Sequence, residues 1–290
     1  VRTLIFTLCI PTLDASKQWN AFMYSFRLQN VETKHVIVID SESVDNTAEL
    51  AEQAGFRVVR IARRDFGHGK TRQLAASLAP EAEVLVYMTQ DAVLANSLAL
   101  AALLRPFEDE SVGAVYGRQL PREGAGPIEA HARIFNYPEA SEVRTKENAR
   151  HRGFKAIFFS NSFGAYRRKA LEEIGGFPAD VNFGEDTVVA GRLLLAGWKV
   201  AYAADAEVYH SHAYTVREEF HRYLHVGQLH ATHPWMIREF GGASGEGVRF
   251  VRSELRYLAR TAPNLIPSAL TRATAKIVGY QLGLRLLAHW

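Results

Sequence analysis

The sequence predicts an α/β fold: a mostly parallel central sheet flanked by helices, followed by a helical C-terminal extension. Three observations carry this. Short apolar runs alternate with stretches of helical spacing through the first two-thirds of the chain. Two of those runs end on polar residues able to do chemistry, at Asp40 and at Gln90-Asp91. Past about Thr215 the alternation gives way to helical patterning alone.

The elements follow in order. Leu4 to Ile10 is an apolar run stopped by Pro11, which reads as a buried strand and is too short to span a membrane. Lys17 to Leu28 places Trp19, Phe22, Met23 and Phe26 at near-helical spacing. Val36 to Ile39 is a fully apolar strand ending at Asp40, and Asp45-Asn46-Thr47 offers cap chemistry for a helix over Ala48 to Ala54. Phe56 to Ile61 is a strand, Lys70 to Ala79 a helix, Val84 to Met88 a buried strand, Ser97 to Phe107 a helix, and Val112 to Tyr116 a strand. A helix is expected around Pro127 to Tyr137, then a strand over Ala156 to Tyr166 with a Ser-Asn-Ser-Phe-Gly turn inside it. Helices over Arg167 to Ile174 and Thr187 to Ala196 precede two short strands, Trp198 to Tyr202 and Glu207 to Tyr209. In such sheets ligands bind at the carboxyl ends of the strands, where Asp40 and Asp91 both fall.

Composition narrows the function. A chain of 290 residues buries a full core as one large domain or two. The formal net charge of +3 is too small to argue for nucleic acid. The single cysteine, Cys9, excludes a disulfide framework and a multi-cysteine zinc site, and suits a reducing cytoplasm. No run reaches the ~18 consecutive apolar residues of a transmembrane helix. From Arg249 onward basic residues outnumber a single acid, Glu254, and alternate with apolar ones such as Phe250, Leu258, Ile277 and Leu287. Such a tail fits an anionic membrane surface, or helices packed on the core or on a second subunit. A glycine-rich break, Gly241-Gly242-Ala243-Ser244-Gly245, precedes it.

Several residues could carry chemistry. A carboxylate just past a buried strand, as at Asp91, can hold Mg²⁺ or Mn²⁺ on phosphates. Glu185-Asp186 opens a helix, where the ionised form is favoured, and could supply a base. Read alone, the pair fits helix capping as well. His210 and His212 are candidate divalent-metal ligands. On an extended segment they would face opposite sides, so that one at most reaches the site unless the backbone turns. His221 and His225 lack the glutamate of a zinc-protease helix, and Gly67 to Arg72 lacks the spacing of a phosphate-binding P-loop.

The ordered set resembles the family 2 inverting glycosyltransferases, with the GT-A fold, across roughly residues 7–215. Ile10-Pro11-Thr12 resembles the first-strand exit that lines the nucleotide. The segment from Val38 to Thr47 resembles the family's V-D-D-x-S-x-D-x-T, implicating Asp40 and Ser43, with Ser41 in place of the usual second aspartate. His68 to Gln73, including Arg72, looks like the N-x-G-x-x-x-x-N turn. Gln90-Asp91-Ala92 occupies the D-x-D position but keeps one aspartate, which raises the importance of His210 and His212. Gly164 to Arg168 with Gly175-Gly176-Phe177 resembles the acceptor-side block, and Glu185-Asp186 the E-D motif whose aspartate is the usual base. Gln90 to Ala92, Gly117 to Pro121 (with Arg118 and Gln119) and Phe135 to Pro138 look like bacterial rhamnosyltransferases.

The resemblance implies a domain over 1–215, with a nucleotide-sugar half (1–117) and an acceptor half (118–215), and a helical extension over 216–290. It implies dTDP-L-rhamnose as donor, Mg²⁺ or Mn²⁺ as cofactor, and a saccharide or lipid-linked acceptor. It places the work in the cytoplasm, with peripheral contact at the inner face of the membrane. Two other readings are weighed. A nucleotidyltransferase would carry a glycine-rich, arginine-containing loop where Pro11-Thr12-Leu13-Asp14 stands. A non-catalytic nucleotide-sugar-binding module would not require Asp91, Asp186 and His210 together.

Overall fold

The computed structural model describes residues 4–29, 31–181, 183–242 and 244–286; Ala243 of the glycine-rich break and Leu287 of the tail lie outside them. The chain divides into two compact units. One comprises Val1–Gln119, Glu139–Lys146 and Phe159–His210, the other Leu120–Pro138, Glu147–Phe158 and Ser211–Trp290.

The first unit is built on one sheet. Strands β1 (Phe6–Thr12), β2 (Val36–Asp40), β3 (Arg57–Arg60) and β4 (Val84–Met88) are mutually parallel in the order β3-β2-β1-β4. They alternate with helices α1 (Ser16–Arg27), α2 (Thr47–Gln53) and α3 (His68–Ser77). Next in the chain come β5 (Val93–Leu94), α4 (Ala99–Leu104), β6 (Val112–Leu120), α5 (Pro127–Asn136), β7 (Glu142–Arg144), α6 (Lys146–Arg152), β8 (Phe163–Arg167), α7 (Arg168–Glu173), α8 (Glu185–Leu195) and β9 (Lys199–Tyr209). The sheet continues β4-β8-β6-β9-β5, and β7 also pairs with β9. β8 runs antiparallel to β4 on one side and to β6 on the other.

Strand alternation divides the core between the two faces. Leu8, Ile10, Val36, Val38, Val84 and Val86 meet the aromatic cluster of α1, where Trp19, Phe22 and Phe26 close around Phe56. Each such ring, fully buried, contributes about 1.5–3 kcal/mol. Cys9 and Tyr87 lie on the other face, and burial pushes the Cys9 thiol up to about 12, so it is an inert hydrophobe.

Two local expectations change. The strands expected over 198–202 and 207–209 are one strand, β9, from Lys199 to Tyr209, because β7 pairs with it over 200–202 and β5 over 208–209, carrying the ladder past the exposed Asp205. The expected strand over 156–166 is a strand only from Phe163, since Asn161 N and Ser162 N donate to the side chains of Asp186 and Ser160 instead of to a ladder. Within the Asp45-Asn46-Thr47 segment expected to cap α2, the bond comes from Asp45, whose Oδ1 accepts from Thr47 N at 3.0 Å.

The second unit is helical. Helix α9 (Val216–Thr232) starts at a capping box between Thr215 and Glu218, and α10 (Pro234–Phe240), α11 (Ser244–Thr261) and α12 (Ile266–Leu286) follow. α9 and α12 touch through backbone: a Cβ on Gly283 would lie 2.1 Å from Leu224 O, and one on Gly279 2.4 Å from Phe220 O. α11 packs on α5 through Phe250, His131, Phe135 and Tyr257, with ring centroids 5.1–5.5 Å apart. Glu219 lies buried between Arg272 (3.3 Å) and Lys276 (3.1 Å).

Candidate active site

The exits of β1 and β2 are adjacent because the strands pair in register, Thr12 opposite Asp40. Asp40 is buried and its carboxylate is shared. Thr12 Oγ1 donates to Oδ1 at 3.0 Å, Ser43 Oγ to Oδ1 at 2.5 Å and Ser43 N to Oδ2 at 3.0 Å. The two exit loops are then cross-stitched: Asp14 N donates to Ser43 Oγ (2.9 Å), Val44 N to Asp14 Oδ1 (2.8 Å) and Ala15 N to Thr47 Oγ1 (2.7 Å). Asp14 and Glu42 hold φ of 49° and 56°, left-handed conformations that non-glycine residues adopt at a cost of about 1–3 kcal/mol. Gln90 grips the same turn, accepting from Leu13 N (2.7 Å) and donating to Leu13 O (2.9 Å). Pro11, opposite Ile39, completes this crevice. Pro11, Thr12, Asp40, Ser43 and Gln90, expected to meet a nucleotide, are thus assembled at one sheet edge.

Beside Gln90, Asp91 faces His210. His210 Nε2 lies 3.4 Å from Asp91 Oδ1, and His210 Nδ1 lies 3.0 Å from Gln119 Oε1. Gln119 is fixed in turn by donating to Ser160 Oγ at 2.7 Å. With Gln119 Oε1 as acceptor, the imidazole proton is assigned to Nδ1 and the Nε2 lone pair faces a carboxylate oxygen. A carboxylate oxygen and an imidazole nitrogen this close suit a hard or borderline divalent cation, and the set fits Mg²⁺ or Mn²⁺. β9 ends at Tyr209 and residues 210–215 form no strand, so the alternation that would place His210 and His212 on opposite faces does not operate. Arg118, the neighbour of Gln119 on β6, points to the opposite side. There it pairs with Glu207 (3.3 Å) and Glu139 (3.4 Å) and lines a cavity of about 510 Å³.

The third part is the start of α8. Glu185 is buried and accepts from Arg72 Nη1 at 2.6 Å and from Asn161 Nδ2 at 3.0 Å. Arg72 reaches it because α3 comes close to the chain after β8: a Cβ on Gly69 would lie 2.0 Å from Pro178 O, so only glycine fits. Asp186 is half-buried, accepting from Thr187 N (2.8 Å) and Asn161 N (3.3 Å). Burial, and then the Glu185 charge, push its carboxyl up to about 7, against Arg72 and the two backbone donors. Adjacent carboxylates therefore have separate situations: Glu185 is held by a cation, Asp186 is poised near neutrality. Asn161 joins them and is itself fixed by Tyr166 Oη, which donates to its Oδ1 at 2.7 Å. From the sequence Ser160-Asn161-Ser162 reads as a turn alone; three small polar residues between apolar flanks are the available sign.

A parallel nucleotide-binding half, an antiparallel extension and carboxylates at the strand exits define a GT-A glycosyltransferase. The chain matches the model of Glycosyl transferase family 2 over residues 7–175, and it belongs to that family. It is 44% identical to the O-antigen chain rhamnosyltransferase WbaN of Salmonella anatum, over 98% of this chain and 90% of that protein. It is 46% identical, with the same coverage, to the O-antigen chain rhamnosyltransferase RfbN of Salmonella typhimurium. Among solved structures it is similar to the mannosyltransferase PcManGT of Pyrobaculum calidifontis, in complex with GDP-Man and Mn²⁺. The TM-score is 0.60 and the identity 20%, covering 100% of this chain and 80% of that one. It is also similar to residues 1–349 of S. aureus TarS (TM-score 0.61, 16% identity, 99% and 92% covered).

Proposed function

We propose that the chain transfers L-rhamnose, with inversion, from dTDP-L-rhamnose to a hydroxyl of a saccharide or lipid-linked saccharide during synthesis of a bacterial cell-surface polysaccharide. The observation that carries this reading is the 44% and 46% identity, over 98% of the chain, to two O-antigen chain rhamnosyltransferases. Pro11, Thr12, Asp40 and Ser43 receive the nucleotide, with Gln90 holding the β1 exit in shape.

Asp91 and His210 are the cation's ligands, joined by His212, which two residues of chain keep within about 7 Å of His210. Mg²⁺ or Mn²⁺ bound there would neutralise charge on the diphosphate. Asp186 is the base. It takes the proton of the acceptor hydroxyl as that oxygen bonds to the anomeric carbon, and the carbon–oxygen bond to the diphosphate breaks with its electron pair leaving on dTDP. A carboxyl near neutrality suits that task at cellular pH. Glu185, Arg72 and Gln119 act at one remove: Glu185 by raising Asp186, Arg72 by fixing Glu185, and Gln119 by orienting His210. Among the described residues no helix is long and apolar enough to cross a membrane. A lipid-linked acceptor would be met in the cytoplasm, by peripheral contact at the inner membrane face.

Donor consumption assayed with several sugar nucleotides, with and without Mn²⁺, tests the reading. dTDP-L-rhamnose should be used preferentially and in a cation-dependent way. Asp186→Asn should abolish transfer while dTDP still binds; wild-type turnover in that variant would remove Asp186 as the base. Synthesis of a sugar nucleotide from a triphosphate, or consumption of no donor at all, would overturn the proposal.

A further inference from the structure

The second unit carries a surface that the transfer chemistry does not use. α11 turns Phe250, Ser253, Glu254, Tyr257 and Leu258 inward, where Ser253 meets His131 at 2.9 Å and Phe250 meets Phe135 edge to face. Its apolar side is therefore occupied by its own unit. Its outer side presents Arg249, Arg252, Arg256 and Arg260, spaced three, four and four residues apart and all exposed. Arg249 pairs with Glu246; the other three have no carboxylate partner among the described residues. α12 contains no acid and exposes Leu270, Ile277, Val278, Leu282 and Leu286, each 40–63% accessible, together with Arg285. From Gly247 to Leu286 the one carboxylate is Glu254, which is buried.

We propose that the outer faces of α11 and α12 seat the protein on an anionic lipid bilayer, the arginines against headgroup phosphates and the aliphatic side chains of α12 at the acyl boundary. Arginines without intervening acids complement lipid phosphate, and exposed aliphatic chains beside them match the composition of interfacial helices. A second copy fits worse, because self-association through the α11 face would set Arg252, Arg256 and Arg260 against one another, with Glu246 already paired to Arg249. A nucleic acid fits worse too, since the exposed apolar residues are aliphatic and provide no ring for base stacking. The inference deepens the membrane contact proposed above. Its failure would leave transfer to a soluble acceptor untouched, so the two can be tested apart.

The test is flotation of the purified chain with vesicles of phosphatidylcholine alone and with 30% phosphatidylglycerol. Binding is expected to the anionic vesicles only and to weaken as salt is raised. Each arginine at the surface is worth roughly a fivefold change in partition, so Arg252→Glu/Arg256→Glu should lower binding at least ~25-fold. Ile277→Gln/Leu282→Gln should lower it at low salt as well. Circular dichroism and transfer to a soluble acceptor establish that both variants are folded and active. Equal binding to the two vesicle types, no binding to either, or unchanged binding by the arginine variant would overturn the proposal. So would a dimer in light scattering that the α12 substitutions dissociate.

Discussion

Replacing Gln119 by Met removes one hydrogen-bonding group while nearly keeping its volume. The amide joins the half-buried Ser160 Oγ at 2.7 Å to the buried His210 Nδ1 at 3.0 Å. Each bond is worth about 0.5–1.5 kcal/mol net, and each orphaned partner costs about 1–3 kcal/mol. Part of that cost is relieved if the imidazole turns or changes tautomer, and either movement takes the Nε2 lone pair off the line to Asp91, 3.4 Å away. Loss of such a supporting bond typically weakens metal binding about 10–100-fold, equivalent to about 1.4–2.7 kcal/mol. Calorimetric titration of Mn²⁺ into the dTDP-saturated protein should show that drop for Gln119→Met. Gln119→Glu, which still accepts from Nδ1, should stay within a few-fold of wild type. Asp91→Asn and His210→Ala set the scale of full loss. If Gln119→Met bound Mn²⁺ as tightly as wild type while those two did not, Gln119 would merely fill space and the relay from Ser160 would be refuted.

Because Asp186 must be ionised to act and its carboxyl stands at about 7, transfer should rise with pH through neutrality and then level, as a pH–rate profile would show. The same shift has a stability sign. Between about pH 4 and 7 the folded protein holds a proton that the unfolded chain releases, so this group's contribution is full below its unfolded value and is lost as pH rises through 7. Asp186→Asn should flatten that slope in urea unfolding followed across pH. Arg72→Met strands Glu185 as a buried, uncompensated charge and should cost about 3–5 kcal/mol in the same unfolding experiment. Gly283→Ala forces a methyl group against Leu224 O and should destabilise the α9–α12 pair by about 1–3 kcal/mol, seen as a lowered Tm.

The parallel half was legible because buried strands of four or five apolar residues, such as Val36 to Ile39, have no other plausible place, and the polar residue ending each run marks the ligand side. β9 was less legible: Asp205 reads as a turn when neighbouring strands cannot be seen, yet pairing on both sides carries the chain through it. The site divided along the same line. Asp40, Asp91, Glu185 and Asp186 announce themselves as acids at element ends. Asn161 and Ser160 do not, since their importance lies in partners 24 and 41 positions away. The separation of Glu185 from Asp186 likewise needed Arg72, which lies 113 residues earlier in the sequence. The tail's basic and apolar residues were plain, but how they divide between inner and outer sides depended on α5, a helix more than a hundred residues upstream.

β8 sits between β4 and β6, antiparallel to both, although some 75 residues of chain separate it from β4. This has a consequence for biosynthesis. A ribosome extending the chain at about 5–20 residues per second releases β4 roughly 4–15 seconds before β8. For that interval Val84 to Met88 is the open border of a nascent four-stranded block, with unpaired amides and carbonyls beside apolar side chains. Newly made protein is thus exposed to intermolecular pairing at one identifiable strand, and slow translation across residues 89–167 should raise the fraction that aggregates, whatever the stability of the finished enzyme.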